Sequence, residues 1–258
     1  RQEAYHEKVA RATIRAEGET FSIHDAFLAK QPNLSQLLQY DAYLRESLVD
    51  HLTHTLLTPE DMLSGNPPSD PDFRQSAYDL RVVASNESGK SDSTSRSISE
   101  PKRAVTAELV RSGVWRNAKA RVTKRVILRQ HNSFEVEYEI EHCGGEAIDG
   151  FFGVEMNYAL LAGDAHDRYY FHANNDNAGK LTTVADFGVL EYVGLKDVYL
   201  NVALTLRTSE PARVVVSPVR TVSQSESGFE AIYQSSSIVL QWPLKLSSSV
   251  KIGGAKVF

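Results

Sequence analysis

The sequence is dominated from Ala104 onward by long segments typical of β-strands. Five runs rich in β-branched and aromatic residues follow one another, and several alternate with a period of two: KARVTKRVILR, FEVEYEIEH, DVYLNVALTL, ARVVVSPVRTV and FEAIYQSSSIVLQW. No helical pattern of 10–15 residues separates these runs, so parallel βαβ units are not expected. The pattern therefore predicts a mainly β fold, a large antiparallel β-sandwich.

Two other regions complete this prediction. Helical spacing is confined to the first 38 residues, where SIHD at Ser22–Asp25 resembles a capping box, and this predicts a short helical N-terminal segment. Residues 85–101 hold seven serines and almost no apolar residue, so they predict a long polar loop between two strands. We expect residues 1–258 to form one β-sandwich domain.

Composition and missing motifs narrow the functional classes. The 258 residues carry a formal charge of −5, which argues against a nucleic-acid partner, and no apolar run is long enough to predict a membrane span. The single cysteine, Cys143, suits a reducing compartment, so we expect a cytoplasmic location. The sequence has no phosphate loop, dinucleotide fingerprint or HExxH motif, and we predict neither a cofactor nor a metal.

Alternating charges predict a β-hairpin over residues 119–142. Four basic residues of the first strand occupy odd-numbered positions: Lys119, Arg121, Arg125 and Arg129. Four acidic residues of the second strand also occupy odd-numbered positions: Glu135, Glu137, Glu139 and Glu141. For the charged side chains of both strands to share one face, odd-numbered residues must pair with odd-numbered residues, so the two residue numbers of each pair add to an even number. A three-residue loop at 131–133 would place Arg125 opposite Glu139. Lys124 breaks the apolar alternation and predicts a bulge or an extended, partly buried side chain.

The stretch YDAYLRESLVDHLTHTLL, residues 40–57, mixes acids, bases and imidazoles with leucines. On a helix His51 and His54 could share a metal ion, whereas on a strand they point to opposite faces. We favour a structural polar cluster of Asp41, Arg45 and His51, in which Arg45 meets Asp41. The leucines of the stretch at positions 44, 48 and 52 are then expected to face the core.

A second polar cluster lies between residues 150 and 175. Glu155 and Asn157 fall on the same face of a predicted strand, where a carboxylate and an amide could hold the hydroxyls of one sugar ring. His172 and Trp115 are outside candidates for the same carbohydrate contact. The alternative is a polar loop with one half-buried glutamate, and a tryptophan in a sandwich is more often part of the core.

Several blocks of the sequence, taken in order, resemble the C-terminal domain of family-57 glycoside hydrolases, the α-amylase and 4-α-glucanotransferase group. These blocks are AYHEKV, YDAYLRESLVDHL, VEMNYALLAGD and GFEAIYQSSSIVLQWPL, and the likeness runs from Glu3 to Leu244. The resemblance implies a sandwich similar to that of galactose mutarotase. It also implies a preceding (β/α) barrel that holds the catalytic carboxylates, so no catalytic residue is transferred to this chain.

The resemblance also implies that this sequence begins after the opening strands of the family's sandwich. We therefore expect the preceding part in the same enzyme or on a partner chain. The resulting hypothesis is a non-catalytic module of an α-glucan-processing enzyme that packs on the barrel, with a contact to glucan as a further expectation. Two alternatives stay open. One is a stand-alone sugar-ring enzyme of the aldose-epimerase type, with Glu155 as base and His172 as acid. The other is a purely structural or assembly domain.

Overall fold

A computed structural model of the chain describes residues 34–86, 103–128, 133–225, 228–247, 251–252 and 256–257, together with residues 6, 7 and 9. Most of the predicted N-terminal helical segment and of the polar loop 85–101 lies outside these residues. Residues 6, 7 and 9 are helical. The other helical elements of the described residues are a 3-10 turn at Leu34–Leu37 and two short helices, α1 at Pro59–Leu63 and α2 at Pro71–Gln75. No helix in this part of the chain is long and apolar enough to cross a membrane.

Antiparallel strands form two layers, which confirms the predicted β-sandwich. Sheet A has the order β7-β8-β9-β10-β6-β1 and sheet B the order β2-β3-β4-β5. Two short strands, β11 and β12, pair with β5, and β12 also pairs with β9, so hydrogen bonds connect the two sheets along one edge. The strands of sheet A are β1 Val49–Thr53, β6 Ile148–Tyr158, β7 Arg168–His172, β8 Ala185–Asp197, β9 Val202–Ser225 and β10 Gly228–Leu246. Those of sheet B are β2 Asp79–Asn86, β3 Arg103–Trp115, β4 Ala118–Leu128, β5 Phe134–Gly145, β11 Lys251–Ile252 and β12 Lys256–Val257.

The main core lies between the two sheets and follows the alternation of the strands. Even-numbered residues of β4, β5 and β6 point into it, and the fully buried members include Val122, Val136, Val154 and Met156. Odd-numbered residues of β6 point to the opposite face of sheet A. This arrangement places Glu155 and Asn157 on the side of the sheet that faces away from the core.

The outer face of sheet A is covered by the segment that leads from residue 38 to α1. Leu57 and Met62 of this segment pack on Val215 and Val239 of the sheet, and all four are buried. A capping box between Thr58 and Asp61 starts α1 and fixes its position. The covering segment therefore encloses the outward-facing side chain of Glu155.

The charged hairpin forms, but its register differs from the predicted one. Val126 pairs with Val136 and Arg125 with Glu137, two residues away from the predicted pairing with Glu139. The prediction that the charged side chains share one face is correct. Arg125 donates hydrogen bonds to Glu139 at 3.3 Å and to Glu108 on β3 at 2.8 Å. The connection runs from residue 129 to residue 133, and its first four residues lie outside the described part of the chain. A loop longer than three residues accounts for the shifted register.

One local prediction was wrong in detail. Leu44 is exposed, whereas Leu48 is half-buried and Leu52 is buried, because the strand begins only at Val49 and residues 40–48 are irregular. Of the two alternatives predicted for Lys124, the structure shows the extended, buried side chain, and the bulge in the hairpin lies at Lys119 and Ala120.

Candidate functional site

Glu155 is the centre of a buried polar network on the outer face of sheet A. Its side chain has no solvent exposure. Five side chains surround its two carboxylate oxygens at hydrogen-bond distance: Tyr43 Oη at 2.6 Å, His51 Nε2 at 2.8 Å, Asn157 Nδ2 at 2.9 Å, and Arg45 Nη1 and Ser237 Oγ at 3.0 Å. Both oxygens of the buried carboxylate therefore have hydrogen-bond partners.

Strand register explains how these side chains meet. Glu155 lies between Val49 of β1 and Val239 of β10, so its side chain leaves the sheet midway between the two neighbouring strands. His51, two residues along β1, stands opposite Gly153, where the absent side chain leaves room for the imidazole to lean toward Glu155. Ser237 reaches the carboxylate from β10.

The covering segment supplies the remaining partners. Arg45 donates to Glu155, to Asp41 Oδ1 at 2.8 Å and to the carbonyl of Met62 at 2.6 Å, and so ties the segment to β6. Tyr43 donates its hydroxyl to Glu155, and the guanidinium of Arg74 lies over its ring at 4.7 Å. Side chains from the covering segment and from strands β1, β6 and β10 therefore converge on one carboxylate.

The electrostatics keep Glu155 ionised. Burial alone would raise its pKa, but the hydrogen bond and charge of His51, the charge of Arg45 and the hydroxyl of Tyr43 outweigh burial and lower the pKa to about 2. The same environment raises the pKa of Tyr43 far above its usual range, first through burial and then through the Glu155 charge. Tyr43 is therefore a fixed donor and Glu155 a fixed anion near neutral pH.

A second buried ion pair links sheet A to sheet B. Lys124 of β4 donates to Asp50 Oδ2 of β1 at 2.9 Å and to the carbonyl of Leu48 at 2.7 Å. The hydroxyl of Tyr78 donates to the same carboxylate oxygen at 2.5 Å, and its ring lies 4.3 Å from the Lys124 ammonium. Lys124, which breaks the apolar pattern of β4, therefore bridges the two layers at a charged contact within the core.

The structure brings together only part of the predicted set of site residues. Asp41, Arg45, His51, Glu155 and Asn157 form one network. His172 lies on β7, and the strands β8, β9 and β10 separate it from β6, a distance of roughly 19 Å at the usual strand spacing. Trp115 is buried in the core against Gly150. A base–acid pair of Glu155 and His172 on one sugar ring does not fit this arrangement.

The carboxylate of Glu155 is also closed to an external sugar. It has no exposed surface and its neighbours occupy both oxygens, so the predicted contact between Glu155 and a glucan hydroxyl would need the covering segment to move. Asn157 is less buried, but its amide donates to Glu155 and to the carbonyl of Glu46. Within the described residues, no group of three or more histidine, cysteine, aspartate or glutamate side chains could hold a metal ion.

Sequence reasoning missed Tyr43, Ser237 and the Asp50–Lys124 pair. Lys124 carried a signal, because it interrupts the apolar face of a strand. Tyr43 and Ser237 have no such signal in the sequence, since their role depends on which strands and loops become neighbours.

The fold and the network define a class of protein: an antiparallel β-sandwich module in which the central carboxylate of the covered sheet stabilises the fold. The family model for the C-terminal domain of α-amylase and 4-α-glucanotransferase matches residues 1–253 of the chain. The chain belongs to this family, and the resemblance seen in the sequence blocks is confirmed.

Two relatives show how the module relates to larger enzymes. Alpha-amylase 1 of Dictyoglomus thermophilum is 28% identical over 242 residues, which cover 93% of this chain and 31% of the amylase. The crystal structure of 4-α-glucanotransferase from Thermococcus litoralis has the same fold with a TM-score of 0.57 and 20% identity, over 89% of this chain and 29% of that protein. The chain spans about a third of the length of both relatives. The prediction of a C-terminal sandwich module of this enzyme type is confirmed.

Proposed function

We propose that the chain is the sandwich module of an α-glucan-processing enzyme of family-57 glycoside hydrolases, and that it packs on the catalytic barrel of that enzyme. The observation that carries the proposal is the family match over residues 1–253, combined with coverage of only about a third of each larger relative. Hydrolysis or transfer then belongs to the barrel. We further propose a fold of the galactose-mutarotase type and a cytoplasmic location, the latter from the single exposed cysteine.

An uncovered apolar face supports a partner domain. The face of sheet B that forms the core continues beyond the edge of sheet A, where Leu80 and Val82 of β2 are each 63% exposed and Leu128 of β4 is 54% exposed. Leu44, at 77% exposure, lines the same groove of about 660 Å³ as Leu80. Contiguous exposed apolar surface of this kind is typical of an interaction site. The barrel of the same enzyme is the partner we propose for it.

The experiment compares the 258-residue chain alone with the chain in the presence of the catalytic part encoded with it. We expect the chain alone to release no sugar from amylose and to transfer no glucosyl unit to maltotriose. We expect it to form a one-to-one complex with the catalytic part, measured by size-exclusion chromatography with light scattering. Turnover by the chain alone, or no complex at micromolar concentration, would contradict the proposal.

The alternative of a stand-alone sugar-ring enzyme finds less support. Its two candidate residues lie on strands that three others separate, and its base is a fully buried carboxylate with a pKa of about 2. A group this acidic is a poor proton acceptor at neutral pH.

A further inference from the structure

We infer that a cavity on the outer face of sheet A, beside Arg45 and Asp41, binds a short neutral α-glucan segment through its hydroxyl groups. This inference rests on the proposed function for the choice of sugar. The cavity has a volume of about 330 Å³, at the lower end of the roughly 300–1,000 Å³ typical of small-ligand sites. It lies next to the Glu155 network but does not use the Glu155 carboxylate itself.

The polar side of the cavity contains the largely buried side chain of Arg45, whose position is fixed by hydrogen bonds. Arg45 is only 10% exposed, and its three hydrogen bonds to Asp41, Glu155 and Met62 fix the guanidinium in place. Asp41 is 33% exposed, so its carboxylate reaches both Arg45 and the cavity. A fixed guanidinium beside a partly exposed carboxylate offers hydrogen-bond donors and acceptors side by side, which is what neighbouring hydroxyls require.

Gly65 allows the backbone to pass close to Asp41 at the edge of the cavity. Its backbone has a φ of +73°, and its carbonyl accepts a hydrogen bond from the amide of Ala42 at 2.8 Å. A Cβ at this position would lie 3.1 Å from Asp41 Oδ1. The close approach of the two backbones therefore positions Asp41 at the edge of the cavity.

Further polar and apolar groups complete the lining. Gln39 and Arg220 are exposed on the wall, and in the described part of the chain no hydrogen bond involves either side chain. Val184, Leu63 and Pro218 supply apolar surface for the C–H faces of a sugar ring. Hydrogen-bonding groups on one side and aliphatic surface on the other are the two requirements of a carbohydrate site.

Charge balance favours a neutral ligand. Arg45 is already ion-paired with Asp41 and with the adjacent Glu155. An anion such as phosphate would compete with these carboxylates for Arg45 and would be repelled by Asp41 on the cavity wall. A polyhydroxylated ligand has no such penalty, because it can donate to Asp41 and accept from the arginines.

The test measures maltotriose binding to the 258-residue chain by isothermal titration calorimetry. Val184→Trp should block the cavity and Arg220→Ala should remove one donor, and each should weaken binding at least tenfold. Val189→Trp and Arg81→Ala are the matched controls, because both residues are exposed and neither lines the cavity. All four positions are on the surface, so thermal melting should give the same midpoint for each variant as for the unmodified chain.

The outcomes separate this inference from the proposed function. Binding that the Val184 and Arg220 variants weaken and the controls retain supports the cavity. Binding that survives both variants, or a chain that binds inorganic phosphate more tightly than maltotriose, would overturn it. So would no binding at millimolar maltotriose. In each of these negative cases, the complex with the catalytic part tests the module function independently.

Discussion

At the residue scale, Glu155 shows how one carboxylate can join three parts of a chain. Its partners come from the covering segment, from β1, from β6 itself and from β10, and together they satisfy both oxygens of the buried carboxylate. A buried anion of this kind stabilises the fold only as long as all its partners remain in place.

The depressed pKa of Glu155 predicts a loss of stability in acid. The group ordinarily titrates near 4.5 and in the folded chain at about 2. The folded state therefore holds the charged form more strongly than the unfolded state does. This stabilisation is complete above about pH 4.5 and is lost as pH falls toward 2. We expect Glu155 to contribute about 3 kcal/mol to this loss, at about 1.36 kcal/mol for each pKa unit.

Urea unfolding between pH 7 and pH 2 measures this dependence, with Glu155→Gln as the comparison. The amide cannot titrate, so the variant should be less stable at pH 7 and should lose less stability on acidification. Equal pH profiles for the two proteins would show that other carboxylates cause the acid loss.

The ion pair between Asp50 and Lys124 predicts a coupled effect. Lys124→Met removes the cation and leaves the buried Asp50 carboxylate without an opposite charge, so we expect a destabilisation of about 3–5 kcal/mol. The double variant Asp50→Asn, Lys124→Met should recover part of this loss, because no charge remains in the core. Guanidinium denaturation of both singles and the double completes the cycle, and strictly additive losses would refute the coupling.

At the element scale, the sequence predicts the type and faces of strands better than their register. Alternation along β4 and β5 placed Arg125 and Glu139 on one face, and the structure agrees. The pairing is two residues away from the predicted one because the length of the turn sets the register, and alternation is unchanged by a shift of two.

The same limit applies to the candidate site. Asp41 and Arg45 are four residues apart in an irregular segment, and their ion pair could be expected from proximity alone. The contact of Arg45 with Glu155 joins residues 110 positions apart and depends on β1 pairing with β6. A single sequence holds no local signal for such a contact. It therefore predicts Asp41 as the partner of Arg45, and it leaves His172 and Trp115 as outside candidates for the sugar contact.

Glycines on β6 predict a contrast between two similar substitutions. A Cβ on Gly150 would lie 2.4 Å from the carbonyl oxygen of Thr53 and 2.6 Å from Trp115 Cη2, which would force β1 and β6 apart. A Cβ on Gly153 would meet its nearest neighbour, His51 Cβ, at 3.3 Å. We expect Gly150→Ala to destabilise the chain by about 1–3 kcal/mol and Gly153→Ala by less than about 1 kcal/mol. Thermal unfolding of both variants checks the order, and a reversed order would be incompatible with these distances.

At the scale of the whole molecule, the uncovered part of sheet B is the feature that points beyond the chain. Leu80→Lys and Val82→Lys place charges on an exposed apolar surface, so we expect changes in the free energy of unfolding within about 0.5 kcal/mol. We expect the same variants to weaken the complex with the catalytic part at least tenfold, measured by surface plasmon resonance. Leu161→Lys, at a site 78% exposed in a loop outside the groove, is the control. A complex of unchanged affinity would assign the interface to another surface.

The pairing of β1 with β6 also sets the order in which the chain can assemble during synthesis. Strands β3, β4 and β5 are neighbours in sequence and in sheet B, so they can pair soon after they leave the ribosome. Strand β1 must wait for β6, about a hundred residues later, and the Glu155 network closes only when Ser237 arrives on β10. Until then residues 34–48 and strand β1 lack the strands on which they pack in the folded module. Within this module, β1 is therefore made early and paired late.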